Sequence, residues 1–137
     1  MDGEKLLEIQ EFISNTCFDK ETFVYIPEFP EYMISSYGRL LCFRKRPRYV
    51  KSFVQKGIVR TNIFRGRTHY TRTIVELMEA GFLSGWRSRS WTHYKDMNPL
   101  NVNANNLRSY TSDFSCAIDY DEDAGEFVEE LIDMGSG

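Results

Sequence analysis

At 137 residues, 42% of them hydrophobic and 27% charged, the chain is long enough to bury one core unaided and too short for two substantial cores. Three widely spaced cysteines without a CxxC pair argue against a disulfide framework or structural zinc, and no apolar run approaches the ~20 residues of a membrane span. The formal net charge of -3 excludes less than it suggests, because the charges are sorted along the chain: eight acids against two bases in residues 1–31, fifteen bases against three acids in 32–112, and nine acids with no base from 113 onward.

The opening "MDGEKLLEIQ" lacks the basic start and apolar centre of a secretory signal, so a soluble cytoplasmic protein is expected. In "DGEKLLEIQEFISNTCF" the apolar Leu6, Leu7, Ile9 and Ile13 recur at helical spacing, which predicts a packing helix over about residues 3–15. "FVYIPEFPEYMISSYGRLLCF" changes to aromatic and β-branched residues broken by Pro27, Pro30 and Gly38, the pattern of short strands and turns. Strands continue through "YVKSFVQKGIVRTNIFRGRTHYTRT", with Gly57 and Gly66 at hairpin positions.

"TRTIVELMEAGF" predicts a helix with Ile74, Leu77 and Met78 on one face and Gly81 as its stop. "WTHYKDMNPLNVNANNLRSYT" is rich in Asn, Asp and Pro, whose side chains bond to nearby backbone, and reads as an ordered loop. The last stretch, "DYDEDAGEFVEELIDMGSG", reads as a short amphipathic helix with Phe127, Val128, Leu131 and Ile132 on one side and acids around it. The fold class expected is α+β: a small antiparallel sheet, a central helix, a loop region and helices at both termini. Four regions follow: an acidic helix over 1–20, a basic β-rich region over 22–84, the loop region over 85–112, and an acidic tail over 113–137.

Two landmarks, "FPEYMISSYGRLLCF" and "RTIVELMEAGF", resemble the nuclease-associated modular domain that precedes the catalytic core in phage and intron HNH homing endonucleases. "HYKDMNPLNVNANNLRSYT" resembles the HNH core pattern "NHxDGNxxNNxxENLxxxT". The similarity spans about residues 26–111. It implies a ββα-like region, a single divalent metal, Mg²⁺ or Mn²⁺, and a histidine general base that deprotonates water beside a phosphate. Aligned on Asp96, Asn98, Asn101, Asn106 and Leu107, the resemblance puts His93 at the metal position and Tyr94 at the base position. Tyrosine, with an ordinary pKa near ~10, is a poor base at neutral pH. The stretch after Leu107 holds neither His nor Asn for a second ligand, and Asp113 or Asp119 could serve only on a rearranged helix.

If active, the enzyme would use His93, Tyr94 and Asp96. No cofactor is expected otherwise. Asn98, Asn101 and Asn106 are expected to pin the loop. Arg39, Arg44, Lys45, Arg46, Arg48, Lys51, Arg60, Arg65, Arg67 and Arg72, with Arg87 and Arg89 in "GWRSRSW", form the expected nucleic-acid surface, because arginine forks suit phosphates and guanine edges. Tyr49, His69 and Tyr70 interleave with them. The resemblance favours DNA as partner and a degenerate nuclease acting as a phage or mobile-element regulator. The alternatives are an active endonuclease, and a phage inhibitor or adaptor that docks a host protein through its acidic tail.

Overall fold

A computed structural model describes residues 2–83, 90–111 and 116–131. Helix α1 (Gly3–Thr16) starts where the Asp2 carboxylate accepts from the Lys5 amide at 2.7 Å and stops at the extended Cys17. Its inward face is Ile9, Phe12 and Ile13, packed on Met33, Leu41 and Phe43. Leu6 and Leu7, which the periodicity put on that face, are exposed.

Strands β1 (Phe23–Ile26), β2 (Phe29–Ser35), β3 (Leu40–Cys42) and β4 (Arg48–Val50) form an antiparallel sheet in that order. The register Tyr32↔Cys42, Met33↔Leu41, Ile34↔Leu40 sorts its side chains. Met33 and Leu41 meet α1, whereas Tyr32, Ile34, Leu40 and Cys42 enter the main core on the opposite face. A strand covered on both faces needs apolar residues at every position, which explains the uninterrupted "LLCF". Burying each of Ile34, Leu40 and Leu41 completely contributes roughly 1.5–3 kcal/mol. At the turn from β2 to β3, Gly38 takes φ +78°, and an added Cβ would lie 2.5 Å from Val102.

A second antiparallel sheet comprises β5 (Phe53–Gln55), β6 (Ile58–Arg65) and β7 (Thr68–Thr73), with Gly57 and Gly66 in its turns as expected. Val59 and Ile63 point to the core, while Asn62 and Phe64 stay exposed, so the alternation here is real. Thr73 and Glu76 then cap α2 (Ile74–Leu83) reciprocally: each side chain accepts from the other's backbone amide, at 3.0 and 3.1 Å. Ile74, Leu77 and Met78 are buried as the spacing requires. Gly81 does not stop this helix. It lies inside it, where a Cβ would come within 2.7 Å of Ile34 and 2.9 Å of Val24, so it permits close approach to the first sheet.

The third sheet contains β8 (Ser90–Tyr94), β9 (Leu107–Thr111), β10 (Cys116–Asp121) and β11 (Glu126–Leu131), paired in sequence order. The expected C-terminal helix is therefore corrected: Glu126–Leu131 is a strand in register with Cys116–Asp121. Residues 121–126 close a tight turn, and Phe127 turns inward onto Tyr120 and Phe82, with ring centroids 5.0 and 5.2 Å away. Ile132 and Asp133 lie outside the described residues. The α+β class holds, with the strands divided among three small antiparallel sheets rather than one.

Candidate nucleic-acid interface

The Asn-rich loop is built around Asp96. One carboxylate oxygen accepts from the Asn98 amide at 2.8 Å and from Asn106 Nδ2 at 2.9 Å, and the other from Asn101 Nδ2 at 2.9 Å. The Asn106 side chain also accepts from the Asp96 amide and donates to the Asn101 carbonyl. Short side-chain-to-amide bonds then step along the loop, from the Leu100 amide to Asn98, Asn103 to Asn101, and Asn105 to Asn103. Hydrogen bonds from Asn101 and the Asn98 amide hold the Asp96 carboxyl below its ordinary range, against a smaller opposing effect of desolvation. Asn98, Asn101 and Asn106 are thus placed where loop pinning needs them, and a short 3-10 turn, Ala104–Asn106, leads into β9. The loop leans on the rest of the fold where the Ala104 amide donates to the Ser36 carbonyl at 2.7 Å.

His93 and Tyr94, adjacent on β8, diverge as strand neighbours must. Tyr94 packs against the main core, and burial pushes its phenol further above the ordinary tyrosine value. His93 is exposed, opposite Arg108 on β9, which in turn lies opposite Asp119 on β10. Asp119 takes ion pairs from Lys95 at 3.0 Å and Arg108 at 3.5 Å.

A divalent cation needs several oxygen or nitrogen donors and repels ammonium and guanidinium neighbours. Here His93 stands among cations, the nearby carboxylate is already paired, and the Asp96 carboxylate, though exposed, already accepts bonds from Asn98, Asn101 and Asn106; these residues do not fit the metal of the HNH core. Among the described residues no group of three or more His, Cys, Asp or Glu side chains is placed to share an ion. The rearranged helix that could have brought Asp119 to a metal is a strand instead; Asp113 falls outside the described residues.

The basic residues separate into two groups. The Arg39 guanidinium is spent inside the fold: it contacts both oxygens of the buried Glu21 carboxylate, donates to the Thr16 carbonyl, and lies 4.3 and 4.0 Å from the Phe18 and Tyr49 ring centroids. Burial alone would raise the Glu21 carboxyl, but hydrogen bonds from Arg39, the Phe18 amide and Ser35 outweigh it and hold the group below its ordinary value.

Most of the others face outward. Arg44, Lys45 and Arg48 line an open cleft of about 520 Å³ between the β3–β4 turn and the β6–β7 tip, with Cys42, Glu31 and Phe64 completing its walls. Arg44 bridges the cleft by donating to the Gly66 carbonyl at 3.0 Å and pairing with Glu31 at 3.6 Å. Arg46 borders a neighbouring hollow beside Glu8 and Glu11 of α1. Lys51, Arg65 and Arg67 are exposed and Arg60 is half-buried. Arg72 pairs with Glu28 at 3.1 Å, and both it and Arg65 lie over the Tyr70 ring.

Of the interleaved aromatics, Tyr49 and Tyr70 are half-buried packing partners and His69 is exposed against Phe64. Arg87 and Arg89 lie outside the described residues. Sequence reasoning missed Phe64, whose signal is an aromatic in the outward register of an alternating strand. It also missed Lys95 and Arg108, which join His93 only through hairpin register.

No protein family matches the chain in sequence, and no curated protein is significantly similar to it. Among solved structures the chain is similar to that titled "DNA binding and cleavage by the HNH homing endonuclease I-HmuI", with a TM-score of 0.59 and 23% identity over 67% of this chain. The match spans 53% of that protein, so about half of the endonuclease has its counterpart here. The chain has an HNH homing-endonuclease-like fold.

Proposed function

We propose that this protein, which shares its fold with part of a DNA-cleaving homing endonuclease, binds double-stranded DNA and does not cut it, acting as a regulator or interference factor of a phage or mobile element. The observation that carries the reading is the cleft bordered by Arg44, Lys45 and Arg48. Three cations face one carboxylate there, on an exposed turn and the start of β4, where a phosphate backbone can reach them. Two acids of the tail pair away from that cleft, Asp123 with Lys20 and Asp119 with Lys95 and Arg108. Loss of cutting is supported by Tyr94 in the core, by His93 among cations and by the strand that stands where the rearranged helix was required.

Fluorescence anisotropy on a labelled duplex at two or more salt concentrations tests the binding. Replacing Arg44, Arg46 and Arg48 together by Ala is expected to weaken binding and to lower the slope of log affinity against log salt by roughly 2–3, about 0.9 per phosphate contact. An unchanged slope would show that DNA lies elsewhere on the protein.

A further inference from the structure

Helix α1 is anchored unevenly. Its last turns are built into the fold: Phe12 and Ile13 pack on the first sheet, the Thr16 hydroxyl lies 2.6 Å from that of Tyr49, and the Thr16 carbonyl accepts from Arg39 at 3.1 Å. Its first turns are not. Across residues 3–11 only Ile9 is buried and Lys5 half-buried, and the rest are exposed. The other hold on this half is polar, a hydrogen bond from the Lys5 ammonium to the Lys45 carbonyl in the β3–β4 turn. A short helical segment has little stability of its own in water, so the first turns stay down mainly through these two residues.

That half carries Asp2, Glu4, Glu8 and Glu11 against Lys5 alone, and the turn it rests on carries Arg44, Lys45 and Arg46. Glu8, 4.0 Å from the Lys5 ammonium along the helix, and Glu11 share a hollow of about 300 Å³ with Arg46, Pro47, Phe12 and Asn15. A phosphate that approaches Arg46 from this side meets two carboxylates of its own sign. The acids placed to oppose a polyanion are thus those of α1 and not those of the tail, where Asp119 and Asp123 are paired elsewhere.

We infer that the first turns of α1 are an autoinhibitory strap: their carboxylates stand where a DNA backbone would meet Arg46, and the backbone must lift them to bind there. The inference rests on the DNA-binding reading above and is separable from it.

The test uses the full chain and the labelled duplex, titrated by anisotropy at several salt concentrations. Glu8→Gln with Glu11→Gln, both exposed, opens one phosphate contact at Arg46. The slope of log affinity against log salt is expected to steepen by about 0.9, and binding at ~0.15 M salt to tighten about fivefold. An equal change of charge by Asp19→Asn with Glu122→Gln, at residues that do not border the hollow, leaves the slope at its wild-type value. Lys5→Met is the sharper variant. It removes a cation, which by itself weakens binding, yet it also unties the strap, so binding tightens. In the wild type, saturating duplex speeds hydrogen–deuterium exchange at the amides of residues 6–11. Gln variants with the wild-type slope, a control pair that steepens it equally, a Lys5→Met variant that binds more weakly, or α1 amides that exchange no faster with DNA bound each overturn the strap and leave the binding reading standing. Absence of binding by both the wild type and the Glu8→Gln, Glu11→Gln variant overturns both.

Discussion

At the scale of single residues, Glu21 shows how a charge can be dedicated to the fold. Its side chain has no exposure, and Arg39 answers it between two aromatic rings. Removing one partner of a buried pair leaves the other uncompensated, so Arg39→Met is expected to destabilise the protein by about 3 kcal/mol, lowering Tm by about 10 °C while DNA affinity changes little. Calorimetry and the anisotropy titration check the two halves. The pH dependence follows from the lowered Glu21 carboxyl. Its contribution is complete above the ordinary carboxylate value of 4.5 and is lost as pH falls below that toward its depressed folded value. Glu21→Gln should therefore flatten the acid limb of a Tm-against-pH curve. None of this was legible in the sequence, where Arg39 is one more arginine in a basic run and its partner is eighteen positions away.

At the scale of elements, the Asn-rich loop was the most legible part, because its bonds run between residues two to ten positions apart and follow from side-chain chemistry. Asn106 occupies both ends of that network, meeting Asp96 through its side chain and the Lys95 amide through its carbonyl. Asn106→Ala is expected to leave the Asp96 carboxylate underbonded, lower stability by about 1–3 kcal/mol and speed amide exchange across residues 95–106, measurable by hydrogen–deuterium exchange. Helix α2 was legible from its apolar spacing, yet Gly81 was misread because a glycine admitting a neighbouring strand looks in sequence like a glycine ending a helix. The last strand was misread for a related reason. In "EFVEEL" the apolar positions fit a helical face, and six residues are too few for the two periods to separate; only pairing with β10 decides.

At the scale of the whole molecule, the basic centre and acidic ends read from sequence become a fold in which α1 packs on the first sheet and the β10–β11 hairpin closes against α2. The expected consequence is a protein that grips DNA without breaking it. Incubated with supercoiled plasmid and Mg²⁺ or Mn²⁺, it should retard the plasmid on a native gel, leave it closed on a denaturing gel, and do so equally in His93→Ala. Metal-dependent nicks that vanish in that variant would establish an enzyme. The basic surface was legible as a composition, but the division between Arg39 and the arginines of the cleft was not, because it depends on which strands carry them past α1.

In each of the three sheets the strands pair in the order in which they are synthesised. Contacts made between chain neighbours require only short loop closures, so each meander can form soon after its last strand emerges, without waiting for a distant partner. Helix α2 is the exception, because it touches strands made before it and also β11. Its aromatic end, Phe82, has no cover from Tyr120 and Phe127 until the final hairpin arrives. A ribosome stalled before residue 127 would therefore hold out a chain with two sheets in place and an unsealed core, a species for chaperones to recognise, and the closing of one short hairpin would end that exposure.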